Sequence, residues 1–186
     1  PNHVPGRHNC EPSFGKIAQY RGIVETGAYT CLLFDGAMVR AAYSFEDDLL
    51  VSHSLLWWPS PFLIEASDLE LGGVLDIFDL YADSNGWHEQ IQMRSPVRFD
   101  FDVKNAADEH PASHLHMQSG KCRLFVDSPV CFNRFIKFVF RNFYPNTYNK
   151  HFFWGDLENC RLYFSNAGDQ SPPKYEYFAW GALANA

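Results

Sequence analysis

The chain has 186 residues, 46% hydrophobic and 20% charged, which is the composition of a globular protein and excludes wholesale disorder. Its 17 Phe, 9 Tyr and 5 Trp predict a large, ring-rich core. A formal net charge of −7, with a pI near 5.5, argues on average against a simple basic nucleic-acid-binding protein. No run of about 18 uninterrupted apolar residues occurs, so neither a transmembrane helix nor a membrane partner is expected. The most apolar stretch, Leu55 to Ile64, is cut by Pro59 and Pro61. The opening PNHVPGRHNCEPS holds no apolar secretory segment. Five scattered cysteines (Cys10, Cys31, Cys122, Cys131, Cys160) without a CxxC read as reduced thiols, small core hydrophobes in a cytoplasmic protein.

Residues 1–15 are polar, with Pro, Gly and Asn, and read as a flexible N-terminal arm ahead of a single domain over 16–186. From Lys16 to Trp58 the pattern is strand-like. The apolar run 28–34 ends in Asp35-Gly36 and is followed by a second run, 37–45, which is a hairpin signal. Residues 49–58, LLVSHSLLWW, form a third strand stopped by Pro-Ser-Pro. The acidic stretch 65–84 spaces its apolar residues for an amphipathic helix from about Leu71 to Tyr81, with Gly72-Gly73 weakening its start. Over 95–104, Val97, Phe99, Phe101 and Val103 fall on one face of a strand, and Arg98, Asp100, Asp102 and Lys104 on the other. Two short strands, 114–118 and 122–126, flank a Ser119-Gly120 turn.

The clearest helix follows. Ser128 is its expected cap and Pro129 its first residue. Phe132, Phe135, Ile136, Val139, Phe140 and Phe143 make one core-facing stripe. Arg134, Lys137 and Arg141 make a basic ridge on another face, and Tyr144-Pro145 ends the helix. A strand at Cys160–Phe164 and a segment YEYFAW (175–180) complete the pattern. The fold class is α+β: a twisted antiparallel β-sheet, a meander or a half-barrel, with two or three packed helices.

The charge is divided. Residues 46–109 carry 14 Asp/Glu against 3 Lys/Arg, and residues 110–161 carry 7 Lys/Arg against 3 Asp/Glu. The bland account is two solvated faces of one domain; the alternative is a surface for an anionic partner. The basic segment also holds the densest chemistry, with His110, His114 and His116 in HPASHLH. On a strand, His114 and His116 point to the same side. They are candidate catalytic residues as an acid–base pair, or candidate metal ligands completed by Asp100 or Asp102. Arg123 is a candidate for stabilising a phosphate. His110, Lys121, Arg134, Lys137 and Arg141 are candidates for binding the substrate. A divalent metal is the only cofactor the pattern suggests.

Three known spacings fit incompletely. A cupin metal site needs a Glu shortly after the His pair, and none follows in register. A histidine-triad hydrolase needs a third alternating His where Gln118 stands. A His-hydrophobic-His nuclease of the relaxase kind needs a Tyr nucleophile on a helix, whereas Tyr144 and Tyr148 lie at or beyond the helix end. Against all of these stands the plainer possibility that strand His residues are structural and hydrogen-bond to backbone.

HPASHLH, Cys122-Arg123 and the Ser-Pro-started helix FNRFIKFVFRNFY together resemble a bacterial domain-of-unknown-function family, number 2290, with a signature of roughly HPxxHLHxG. LLFDGAMVRAAYSFEDD and HSLLWWPSP are also similar to it, so the resemblance spans about residues 14–150. The signature glycine falls at Gln118, with Gly120 two positions later. The resemblance implies a compact bacterial domain, with phage-defence or mobile-element neighbourhoods as a setting, and transfers no activity. The expected function is a phosphodiester-cleaving or nucleotide-processing enzyme acting on a nucleic acid or nucleotide. The alternative is a non-catalytic accessory subunit of a phage-defence or toxin–antitoxin type system, with structural His and a protein partner from the same operon.

Overall fold

Period-two alternation over 97–102 and the β-branched and aromatic runs over 38–58 dictate strands, and these pair as one sheet. The computed structural model describes residues 16–65, 67–70, 72–107, 110–157, 162 and 177–178. In chain order they form α1 (Ile17–Glu25), β1 (Cys31–Leu32), β2 (Met38–Glu46), β3 (Leu49–Trp58), a 3-10 turn (Asp68–Glu70), α2 (Val74–Asp83), α3 (Trp87–Gln90), β4 (Val97–Asp102), β5 (Ser113–Met117), β6 (Leu124–Val126), α4 (Phe132–Phe143), α5 (Pro145–Lys150) and β7 (Tyr177–Phe178). Each strand lies beside its sequence neighbour. β1 to β6 make an open antiparallel meander, and β7 joins β6 in parallel. The fold is therefore α+β.

Two compact units can be distinguished, and β2, β3, β4 and β5 each contribute residues to both. Of the described residues, the first takes in 16–42, those of 56–98, and 116–122. Its hairpin pairs Cys31 with Val39 and Leu32 with Met38 around the expected Asp35-Gly36 turn. Gly36 takes φ +75°, a left-handed backbone that glycine tolerates best. Its carbonyl accepts the buried hydroxyl of Tyr20 at 2.5 Å. Tyr20 also stacks on Phe78 of α2, with ring centres 6.0 Å apart, and meets Trp58 edge-on at 6.4 Å. Leu56, Phe62, Ile64, Val74 and Ile77 close this core.

Of the described residues, the second unit takes in 43–55, those of 99–115, and those from 123 onward. α4 rests on β4 through Phe99, whose ring meets Phe135 at 6.1 Å and Phe138 at 5.3 Å, both edge-on. Alternation along β4 leaves Arg98, Asp100 and Asp102 on the opposite face of the sheet. Leu50, Phe101 and Ala112 form a second apolar cluster.

Three elements depart from expectation. α1 occupies part of the segment expected to be strand. Only Tyr20 and Val24 of it are buried, one turn apart, so its apolar stripe is too short to show in the sequence. α2 starts at Val74 rather than Leu71, because Gly73 serves as its cap and the Asp76 carboxylate accepts the Gly73 N–H at 2.8 Å. α4 starts at Phe132 with Cys131 as cap, not at Ser128-Pro129. Tertiary bonds hold that approach extended: the Ser128 carbonyl accepts the Ser113 hydroxyl at 3.0 Å, and the Val130 N–H is taken by His53. The expected arm 1–15 and all but residue 162 of the expected strand 160–164 lie outside the described residues, and of YEYFAW only Tyr177 and Phe178 are described, as β7. Among the described residues, no helix is long and apolar enough to cross a membrane. Cys31, Cys122 and Cys131 are free thiols.

Candidate metal centre

The HxH segment is strand β5, and the period of two that defines a strand carries His114 and His116 to one side of it. Antiparallel pairing with β4 is fixed by the Asp102 N–H donating to the Ala112 carbonyl at 2.8 Å. That register sets Asp100 across from His114, and the Nε2 of His114 lies 4.0 Å from the Asp100 carboxylate. One ligand atom from each of Asp100, His114 and His116 lies within 4.8 Å of the other two. Both rings are 2% exposed, while the Asp100 side chain keeps 19% of its surface open.

His114 is held in one tautomer. Its Nδ1 lies 2.7 Å from the Pro111 carbonyl, which can only accept, so Nδ1 carries a proton, and in the neutral ring Nε2 carries the lone pair. A ring N–H given to a backbone carbonyl, with the other nitrogen facing a carboxylate, is the arrangement that orients a metal-binding imidazole. Two imidazoles and one carboxylate suit a divalent transition metal, and three protein ligands leave a coordination position open. Sub-ångström to ångström movements of the three side chains would close the spacing to ordinary ligand bonds of about 2.0–2.2 Å.

His110 contributes from the side. It forms an isolated bridge with Ala107, and its ring stands edge-on to that of His114 with centres 4.7 Å apart. Its Nδ1 is buried, with no hydrogen bond among the described residues. Asp102 does not join the group. Its carboxylate is spent on the turn after β4, accepting the N–H groups of Lys104 at 2.9 Å and Asn105 at 3.2 Å and the Asn105 side-chain amide at 2.6 Å.

The basic candidates separate into two sets. β5 pairs with β6 as His114 opposite Phe125 and Leu115 opposite Leu124. Arg123 and Lys121 are both exposed, in the segment that leads into β6. Arg134, Lys137 and Arg141 belong to α4, which covers the Phe99 face of β4, whereas Asp100 projects from the other. Lys137 donates to the Leu157 carbonyl.

Two residues escaped the sequence reading. His53 is 4% exposed on β3, and its Nε2 accepts the Val130 N–H at 2.9 Å. Burial pushes its pKa down to about 4, with the charge of Asp100 opposing and that of His114 assisting, so the ring is neutral near pH 7. A lone His in an apolar strand gives no signal of this role. Arg98 was legible as a member of the polar face of β4, but only the strand register shows what lies across from it.

Neither the curated proteins nor the solved structures yielded a match to the chain. A family model does match, over residues 5–180, nearly the whole length. The chain belongs to the family described as uncharacterized conserved protein DUF2290.

Proposed function

We propose that this chain is a metal-dependent, phosphodiester-cleaving or nucleotide-processing enzyme, with Asp100, His114 and His116 holding one divalent ion. The observation that carries this reading is the tautomer of His114. Its Nδ1–H is committed to the Pro111 carbonyl, and its Nε2 faces Asp100 with His116 alongside. A bound divalent ion supplies Lewis acidity toward a phosphoryl oxygen. Asp100 supplies the negative charge that makes a divalent ion favourable in a largely buried place. Arg123, in the segment that leads into β6, supplies a guanidinium for the developing negative charge. The excess of Lys and Arg over 110–161 is consistent with an anionic substrate.

The test is incubation of the protein with labelled RNA, DNA and nucleotides, with and without Mn²⁺, Mg²⁺ or Zn²⁺. Metal-dependent cleavage that is lost in His116→Ala is the expected result. Cleavage unchanged in His114→Ala and His116→Ala, or none with any metal, overturns it.

One observation favours a second reading. Both rings are 2% exposed and one is bonded to backbone, which also suits structural His in a non-catalytic accessory subunit of a phage-defence or toxin–antitoxin type system. That reading requires His114→Gln to lower the melting temperature equally with and without metal. The enzyme reading requires metal to raise the melting temperature of wild type and not of the variant.

A further inference from the structure

The turn after α5 sets two phenyl rings in water, at the end of the longest acid-free run of an acidic chain. Residues 128–155 contain Arg134, Lys137, Arg141 and Lys150 and no Asp or Glu, whereas the whole chain has a net charge of −7. Arg141 and Lys150 are exposed. Phe152 is 94% exposed and Phe153 48%. The turn that presents them is anchored by Trp154, which is buried with its ring centre 5.0 Å from that of Phe140 on α4, 5.1 Å from Tyr148 on α5 and 4.4 Å from Phe153. The Phe152 carbonyl accepts the Gly155 N–H at 3.3 Å, and the Phe153 carbonyl accepts the Asp156 N–H at 3.0 Å. Lys137 reaches the Leu157 carbonyl and Phe140 reaches Trp154, so this side of α4 meets the turn. Arg141, four residues after Lys137, lies on the same side.

We propose that Phe152 and Phe153, with Arg141 and Lys150, bind a single-stranded nucleic acid, the rings stacking on bases and the cations meeting phosphates. The surface lies wholly within the second unit, and binding there needs no metal, so it stands apart from the metal-centre reading. Exposed phenyl faces are matched by the open faces of unpaired bases, which a duplex keeps covered by its own stacking. Cations carried by two separate helices suit a backbone of repeated negative charge. The exposed polar neighbours argue against a lipid surface. Asn146 and Asn149 flank the rings on α5, and burying their amides among acyl chains is costly, whereas base edges and phosphates offer them hydrogen bonds.

The experiment is fluorescence anisotropy of the full chain with labelled oligouridylate and oligothymidylate of about 12 nucleotides, with a chelator present to suppress any metal-dependent cleavage. Wild type is expected to bind both, and to bind a duplex of the same length more weakly. Phe152→Ala and Phe153→Ala are each expected to weaken binding by about fivefold or more. Phe152→Leu keeps an apolar side chain and removes the ring, and is expected to lose as much as Phe152→Ala. Arg141→Gln and Lys150→Gln are each expected to reduce the slope of log affinity against log salt by about 0.7. Trp87→Ala, at an exposed ring of the first unit, leaves the affinity at the wild-type value. Full binding by Phe152→Leu, which marks a general apolar contact with a protein or lipid, overturns the proposal. So does tighter binding of the duplex, or an unchanged salt slope in both cation variants. Failure to bind either oligonucleotide, with or without capture by phosphatidylserine vesicles, overturns it outright.

Discussion

The imidazole of His53 accepts the backbone N–H of Val130 at 2.9 Å across 77 residues of chain. Val130 is fully buried, so this bond removes an otherwise orphaned donor and holds the approach to α4 extended. The ring can do so only while its Nε2 is unprotonated.

Stability is therefore expected to fall in acid through His53. Its value drops from 6.5 to about 4 on folding, so the unfolded chain takes up the proton first as pH falls. The contribution is whole above the unfolded value and drains away as pH drops through the folded one, amounting to about 3 kcal/mol at most. Melting temperature against pH, for wild type and His53→Gln, reads this directly. The variant keeps an acceptor for Val130 and should show a shallower decline between pH 6.5 and 4; identical slopes would show that another group governs the transition.

Asp100→Asn preserves shape and removes the charge beside His114. Metal affinity is expected to fall by more than about tenfold, as measured by competition with a chromophoric chelator. Asp102→Asn, in the turn bonded to Lys104 and Asn105, is expected to leave that affinity alone. A reversed order of the two variants would move the metal ligand to the turn.

The hairpin turn offers a steric test. A Cβ added at Gly36 would stand 3.0 Å from the Ile64 Cδ1 and 3.3 Å from the Ser60 Cβ, at φ +75°. Gly36→Ala should therefore lose about 1–3 kcal/mol. Tyr20→Phe, which removes only the hydroxyl bonded to the Gly36 carbonyl, should lose about 1 kcal/mol. Urea denaturation midpoints rank the two.

Phe135 is fully buried against Phe99, and truncating it opens a void under α4. Phe135→Ala is expected to lose about 3–5 kcal/mol. Phe143, at the exposed end of the same stripe, should lose far less on the same change. Similar losses at the two positions would mean that the stripe is uniformly packed.

The strands were legible because their signals are local. Asp35-Gly36 gave the hairpin, and alternation over 97–102 gave both faces of β4. Alternation alone also put His114 and His116 on one side and Asp100 on a polar face. Register is not local, and it decided the rest. It selected Asp100 over Asp102 and left Arg134, Lys137 and Arg141 on a helix that covers the other face. The start of α4 was misread for the same reason. Ser128-Pro129 is a good cap in isolation, but Ser113 and His53 claim that segment from distant strands.

Gln118 follows β5 with φ +63°, its N–H donating to the Ser95 hydroxyl at 2.8 Å. This is the position at which the HPxxHLHxG resemblance leads one to expect glycine, and the backbone supplies the reason, since a left-handed residue here turns the chain out of the strand. Such a glycine is a demand of the chain path and says nothing about chemistry. No comparable conformational demand selects imidazole at 114 and 116. One short stretch thus bears two unrelated constraints, one on shape and one on side-chain identity, and Gln118→Gly relaxes the first while leaving the second untouched.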